Sequence, residues 1–209
     1  MSPAFKPLLP LALASLLSTF AAPATAADVT YTLDPSHTQV QFNWAHMGYS
    51  HPGGDFDTIS GSLKWNAADI SKSSVKVNIA VDSIHTRVAA LDEELRGDKF
   101  FDTAKFPTIT FTSTKVERGA KAGRFKVTGD LSLHGVTKPV VLDVTLNQQG
   151  IYPMLKLPAL GFDASTHIKR SDFGLGYGVP MVGDDVQVRI TVEAMEAEGY
   201  AKAMKEMAK

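Results

Sequence analysis

The stretch Phe100-Phe101-Asp102-Thr103-Ala104-Lys105-Phe106-Pro107-Thr108-Ile109-Thr110-Phe111 decides how the rest of the chain is read. Beyond Pro107, Ile109 and Phe111 fall on one side of the chain, while Thr108, Thr110, Thr112 and Thr114 fall on the other. β-Branched and aromatic residues repeating at a period of two describe a strand with one apolar face and one wet face. Just upstream the period changes. Val88, Leu91 and Leu95 recur at three and four, with Asp92, Glu93 and Glu94 between them, and Gly97 follows. That spacing predicts a helix of about two to three turns, stopped at the glycine.

Outward from this point the strand pattern returns in both directions. Upstream, Val40, Phe42, Trp44 and His46 share one face, residues 56–65 read as a strand kinked or bulged at Gly61, and Val75, Val77, Ile79 and Val81 make a third apolar face. Between the first two, Pro52-Gly53-Gly54 marks a loop or sharp bend. Downstream, Phe125, Val127, Leu131 and Leu133 align, as do Val140, Leu142, Val144 and Leu146. Leu160, Phe162, Ala164 and Thr166 form another strand face, and Val186, Val188, Ile190 and Val192 the last, preceded by a turn at Gly183-Asp184-Asp185. This amounts to about eight one-sided strands and a single internal helix, with no βαβ alternation. A flat sheet of that size would leave its apolar face in water, so the sheet must close on itself or fold into a sandwich, and the barrel is the favoured of the two. The expected fold is all-β, an eight-stranded antiparallel barrel with one short helical insertion. Its interior is either filled by side chains or holds one ligand.

The two ends of the chain fall outside this pattern. Lys6 precedes an apolar run that ends at Ala24-Thr25-Ala26, the arrangement of a secretory signal peptide cleaved after Ala26. The expected organisation is a leader over 1–26, a barrel over 27–197, and a tail over 198–209 that forms a frayed, solvent-exposed helix. Export and the absence of cysteine suggest a periplasmic protein held together by packing and hydrogen bonds. Removing the leader takes away Lys6 and no acid, leaving 20 basic and 22 acidic residues. A balance so near neutral gives no electrostatic case for nucleic acid or an anionic membrane as main partner.

Strand parity points Phe42, Trp44, His46, Ile109, Phe111, Phe125 and Leu131 into the barrel, and Phe162 joins them from its own strand. An apolar wall of this kind serves a filled core and a ligand cavity equally well. His46 is the polar member of the set and a candidate contact for a ligand's head group. Arg170, beside Asp172, Phe173 and Gly174, either pairs at the surface or clasps a charged head group, because a guanidinium binds phosphate bidentately. His37, His46 and His51 lack the spacing of a metal site. No nucleophile-elbow pattern accompanies Ser36-His37 or Ser83, so no catalytic residue, metal or cofactor is assigned.

Six phrases in order resemble the YceI-like family of polyisoprenoid-binding, lipocalin-like bacterial proteins. They are Asp34-Pro35-Ser36-His37, Ser83-Ile84-His85-Thr86, the run from Leu95 to Asp102, that from Phe106 to Phe111, that from Gly129 to Pro139, and Arg170-Ser171-Asp172-Phe173-Gly174. The resemblance implies a lipocalin-type barrel with a deep apolar cavity and a binding and carrying role without catalysis. The implied partner is an isoprenoid, isoprenoid quinone or other long-chain lipid. A homodimer, and a membrane-bound donor or acceptor protein for the quinone or lipid, are further partners it suggests. From a different class, the alternative is a metal- or redox-dependent enzyme acting on a lipid in the same cavity.

Overall fold

The computed structural model describes residues 28–209; the leader expected over 1–26 lies outside them. Eleven strand segments are present: β1 (Val29–Leu33), β2 (Gln39–His46), β3 (Gly53–Phe56), β4 (Ile59–Trp65), β5 (Ser74–Ala80), β6 (Ile84–His85), β7 (Thr108–Arg118), β8 (Arg124–Leu133), β9 (Val136–Ile151), β10 (Pro158–Lys169) and β11 (Val182–Glu196). Two helices accompany them, α1 (Ala89–Arg96) and α2 (Ala197–Met207).

The eleven segments make eight staves. β11 pairs with β1 through residues 194–196 and with β2 through residues 182–191, so β1 and β2 lie end to end along one neighbour. β4 then pairs with β1, and β3 with β2; β5 pairs with β4, and β6 with β3. Three adjacent staves are therefore broken near their middles, at 34–38, 57–58 and 81–83, while β7 to β11 run unbroken. All pairings are antiparallel, and the β1–β11 ladder closes the ring. The expected eight-stranded antiparallel barrel is the observed fold.

Closure is incomplete at one level. β5 pairs with β7 up to Ala80 and Thr108, but β6 has no strand on its far side. Asp57 N–H donates to Ser83 O, so Ile84 O points away from β3. Helix α1 crosses there, and Arg96 donates from Nη2 to Ile84 O at 2.7 Å and from Nε to Asp82 O at 2.8 Å. Asp92 fixes the start of the helix, accepting from both Thr86 N–H (2.7 Å) and the Thr86 hydroxyl (2.5 Å). α1 begins and ends where its period predicts, with Gly97 N–H closing onto Glu94 O.

Several local readings are corrected. Gly61 is no bulge. It sits where β4 and β5 approach so closely that a Cβ would lie 2.4 Å from Lys76 O and 2.8 Å from Leu33. Gly53 and Gly54 belong to β3 rather than to a loop, against the β2 backbone and the Phe42 ring. Gly183-Asp184-Asp185 is a bulge inside β11, not a turn before it. β7 also shifts register between Ser113 and Lys115, which lets Val116 face inward although Ile109 and Phe111 have the opposite parity. The C-terminal helix is docked rather than frayed. Tyr200 is buried and donates to Asp34 Oδ1 at 3.0 Å, and Glu196 caps the helix through Glu198 N–H and Gly199 N–H.

The inward faces form two clusters. Tyr31, Leu63, Trp65, Phe125, Phe162 and Leu160 fill the end near β1, and Phe56, Ile79, Ile84, Leu95, Ile109 and Phe173 gather near α1. Neither fills the barrel.

Candidate functional site: the barrel cavity

Between and beside these clusters runs a cavity of about 700 Å³. β-Branched and aromatic residues form its wall because the same period of two that builds each strand presents every second side chain inward. At the base, Trp65 meets Phe125 edge to face (ring centroids 5.8 Å apart, 87° between planes) and lies 5.6 Å from Phe162. These three rings belong to one buried cluster at that end. Along the shaft, Val77, Phe111, Leu131, Leu142 and Val188 contribute apolar surface. A stave the length of β10, 12 residues, spans about 40 Å.

The other end is the mouth. It is framed by the β2–β3 connection (Ser50, Pro52), by Leu91 and Glu94 of α1, by Phe100, and by Tyr177 and Gly178 of the loop before β11. Phe100 and Tyr177 pack edge to face at 5.5 Å, with Lys99 Nζ 5.4 Å from the Tyr177 ring centre. Phe42 stacks on Trp44 at 5.9 Å with 18° between planes and touches Phe56 at 5.4 Å; Phe56 in turn meets Phe101. Three exposed apolar residues, Met47, Tyr49 and Met181, are next in sequence to the cavity-lining His46, Ser50 and Val182, and Met47 N–H donates to Met181 O at 2.9 Å.

The residues expected from the sequence at a ligand are placed as follows. Phe42, Trp44, His46, Ile109, Phe111 and Phe125 line the cavity, as do Leu131 and Phe162. Phe173 does not reach it. Only 2% exposed, it is packed into the wall with Val140 and Leu175 around it, and its carbonyl lies 3.2 Å from His134 Nδ1. Arg170 borders the cavity, but the head-group clasp expected of it is corrected. Nε donates to Gly183 O, Nη1 to Leu175 O and Tyr177 O, and Nη2 to Val182 O. Four of its five N–H groups are thus spent on holding residues 174–183 against the mouth. Burial pulls the guanidinium's pKa down, though the Asp184 carboxylate opposes this. Its expected partner Asp172 pairs with Lys138 instead, at 3.1 Å. Thr38, Ser50, Glu94 and Tyr177 line the cavity too. Apart from Glu94, which a helix facing the barrel could have suggested, nothing in their sequence context marks them.

Among the described residues, Asp34, His37 and Glu193 are the one group that brings three metal-ligating atoms together, within 4.8 Å of one another. The cluster sits at the break between β1 and β2, and Glu193 lies outward because its neighbour Val192 lines the cavity. Its members are engaged locally. Asp34 accepts from Ser36 N–H, from Tyr200 and from the His37 ring at 2.7 Å. Burial pushes the Asp34 carboxyl up, but the hydrogen bonds from His37, Ser36 and Tyr200 outweigh it and hold the group below the usual carboxylate range. The same contact with Asp34 raises the His37 pKa, and burial followed by the bond to Asp34 pushes the Tyr200 hydroxyl up to about 12.

The fold of this chain is matched by proteins already described. The family model of the YceI-like domain covers residues 31–194. The chain belongs to the YceI-like family. Among its relatives, a UPF0312 protein of Shewanella denitrificans is 36% identical over 171 residues, covering 82% of this chain and 88% of the relative. A UPF0312 protein of Yersinia pestis is 35% identical over 193 residues, covering 92% and 98%. Of solved structures, the YceI protein of Campylobacter jejuni superposes with a TM-score of 0.67 at 31% identity, over 74% of this chain and 90% of that one. BcnA of Burkholderia cenocepacia gives 0.69 at 26% identity, over 77% and 98%. A polyisoprenoid binding domain from Saccharophagus degradans, at 18% identity and a TM-score of 0.62 over 80% and 99%, shares the fold. In this YceI-like chain the wall residues named above line the barrel cavity.

Proposed function

We propose that the protein is a periplasmic, non-enzymatic carrier of a long apolar molecule, an isoprenoid, an isoprenoid quinone or a related lipid, held in the barrel. The observation that carries this reading is the cavity: about 700 Å³ of space persists where side chains could have filled the core. Transfer of an alkyl or prenyl chain from water into such a wall contributes about 0.8 kcal/mol per methylene, so a chain of modest length binds without any specific polar contact. The polyisoprenoid binding domain that shares the fold supports the ligand class. The leader pattern over 1–26 supports export.

The test is native mass spectrometry of protein purified without detergent from its own envelope fraction, followed by solvent extraction. A co-purifying mass bearing an isoprenoid or acyl chain is the expected result. Fully folded protein that neither retains such a molecule nor takes one up from added lipid would refute the carrier reading. The same spectra give the oligomeric state.

A further inference from the structure

We infer that the mouth of the barrel docks on a lipid bilayer, which the β2–β3 loop and the loop before β11 enter through exposed apolar side chains. The ligand then passes between membrane and cavity without crossing water. The inference rests on the carrier reading and goes beyond it.

Residues 44–54 and 173–183 contain no Asp, Glu, Lys or Arg, in a chain 21% of whose residues are charged. The tips of these two loops are apolar and lie in water. Tyr49 is 92% exposed, Met181 61% and Tyr177 52%, and Met47 and Val179 are exposed with them. Single apolar residues on a surface need no explanation, but a group gathered at a cavity entrance does. Backbone contacts gather this one. Met47 N–H donates to Met181 O, Val182 pairs with His46, and Val182 N–H donates to Gly178 O at 2.9 Å. Tyr177 is a cavity-lining residue as well as an exposed one, so it joins the outer surface to the shaft.

Two features fit a bilayer. The first is that the loops pair backbone groups within the protein, as a segment entering lipid must. Arg170 serves the carbonyls of Leu175, Tyr177, Val182 and Gly183. Tyr49 N–H donates to His46 O and Val179 N–H to Gly176 O, while Pro52 and Pro180 have no N–H to satisfy. The second is residue type. Tyrosine, with an apolar ring and a polar tip, settles at the level of lipid head groups. Charge beside the loops is mixed: Lys99 Nζ lies 5.4 Å from the Tyr177 ring centre, and Glu94 lines the mouth. That is not the basic cluster that anionic lipid attracts, so the contact is apolar and neutral lipid suffices. The ligand supplies the need. Every methylene that leaves a bilayer for water lowers the population on that path by about a factor of four, which closes it to a long chain unless the mouth meets the membrane.

The experiment floats the delipidated full chain with phosphatidylcholine vesicles through a density gradient, at low and at high salt. Uptake of retinol, a fluorescent C20 isoprenoid, is followed separately in vesicle-free buffer. Wild-type protein should float at both salt concentrations. Tyr49→Ser combined with Met181→Ser should weaken partitioning by about tenfold and leave retinol uptake unchanged, because neither side chain lines the cavity. Ile151→Ser combined with Met154→Ser removes exposed side chains from the β9–β10 connection instead and should float like wild type. Protein that takes up retinol but does not float overturns the docking surface and leaves the carrier reading standing. Wild-type flotation by the mouth variant overturns it too, as does an equal loss in the β9–β10 variant. Flotation with phosphatidylglycerol vesicles alone, abolished by salt, would mark an electrostatic contact and refute an apolar one. A wild-type dimer that does not float, and that the mouth variant converts to monomer, would assign the patch to a second copy of the chain. If no retinol is taken up, the carrier reading fails and the inference with it. A milder probe gives a second answer: the chain has no cysteine, so Tyr49→Cys can carry a single polarity-sensitive dye. Its emission should shift to the blue on adding vesicles, and that of the same dye on Met154→Cys should not; two unshifted spectra would overturn the inference.

Discussion

Replacing Arg170 by leucine should cost the protein about 4 kcal/mol of stability, and the structure supplies the estimate. The guanidinium serves four backbone carbonyls, those of Leu175, Tyr177, Val182 and Gly183. The bond to Leu175 O is buried, whereas the other three are partly accessible and can be taken over by water. An acceptor left unpaired inside costs about 1–3 kcal/mol, and each replaceable bond about 0.5–1 kcal/mol net. The total is about 4 kcal/mol, a large share of the ~5–15 kcal/mol that keeps a domain folded. It corresponds to a fall in melting temperature of about 8–16 °C for a chain of this size. Arg170→Lys should recover less than half, because an ammonium cannot reach carbonyls spread around a planar fork. Urea denaturation followed by tryptophan fluorescence measures both variants. A loss below about 1 kcal/mol for Arg170→Leu would refute the reasoning and return Arg170 to the class of surface cations. Because the residues it holds frame the mouth, the variant should also release a bound lipid faster at temperatures where it is still folded.

Three further outcomes are expected. Ala164 faces the cavity from β10, so Ala164→Phe should reduce lipid binding by at least about tenfold with little change in melting temperature, since it enters open space rather than packed core; unimpaired binding would mean the ligand sits elsewhere. Gly129→Ala should destabilise by about 1–3 kcal/mol, because its Cβ would lie 2.4 Å from the Phe111 ring and 2.7 Å from Thr112 O; a neutral result in thermal unfolding would contradict that close approach. For the Asp34–His37 pair the signs differ. The raised His37 pKa gives stability that is full below the ordinary value of 6.5 and is lost as pH climbs through the higher folded value. The lowered Asp34 pKa gives stability that is present above 3.8 and is lost as pH falls through its lower folded value. Denaturation midpoints measured from pH 5 to 9 should therefore decline on the alkaline side in wild-type protein and flatten in His37→Gln; identical profiles would remove His37 from the account.

The closed barrel was legible because strand parity survives in the sequence: Val40, Phe42, Trp44 and His46 alternate on the page and line one wall in space. Resemblance to the family then chose a cavity over a filled core, which alternation alone leaves undecided. What escaped was whatever interrupts a period of two without changing it. The bulges at 113–115 and 182–186 and the breaks that divide three staves look like turns or like nothing, because the alternation resumes on either side. The fate of Arg170 was hidden for another reason. Its partners are carbonyls, which every residue carries, so no neighbouring side chain announces them. Tyr200 was the available clue in the tail: a lone aromatic in a polar helix, it is buried where the helix meets Asp34.

The gap beside β6 has a consequence for how copies of this protein behave toward one another. A strand with unclaimed carbonyls is a template on which a second chain can lay its own strand, and a concentrated protein so exposed tends to associate edge to edge. Here Arg96 occupies those carbonyls at Ile84 and Asp82, and it brings a positive charge to the place an incoming backbone would need. Holding α1 over the mouth and keeping neighbouring molecules apart are thus the work of one side chain. Loss of Arg96 would appear first as self-association, before any loss of cavity.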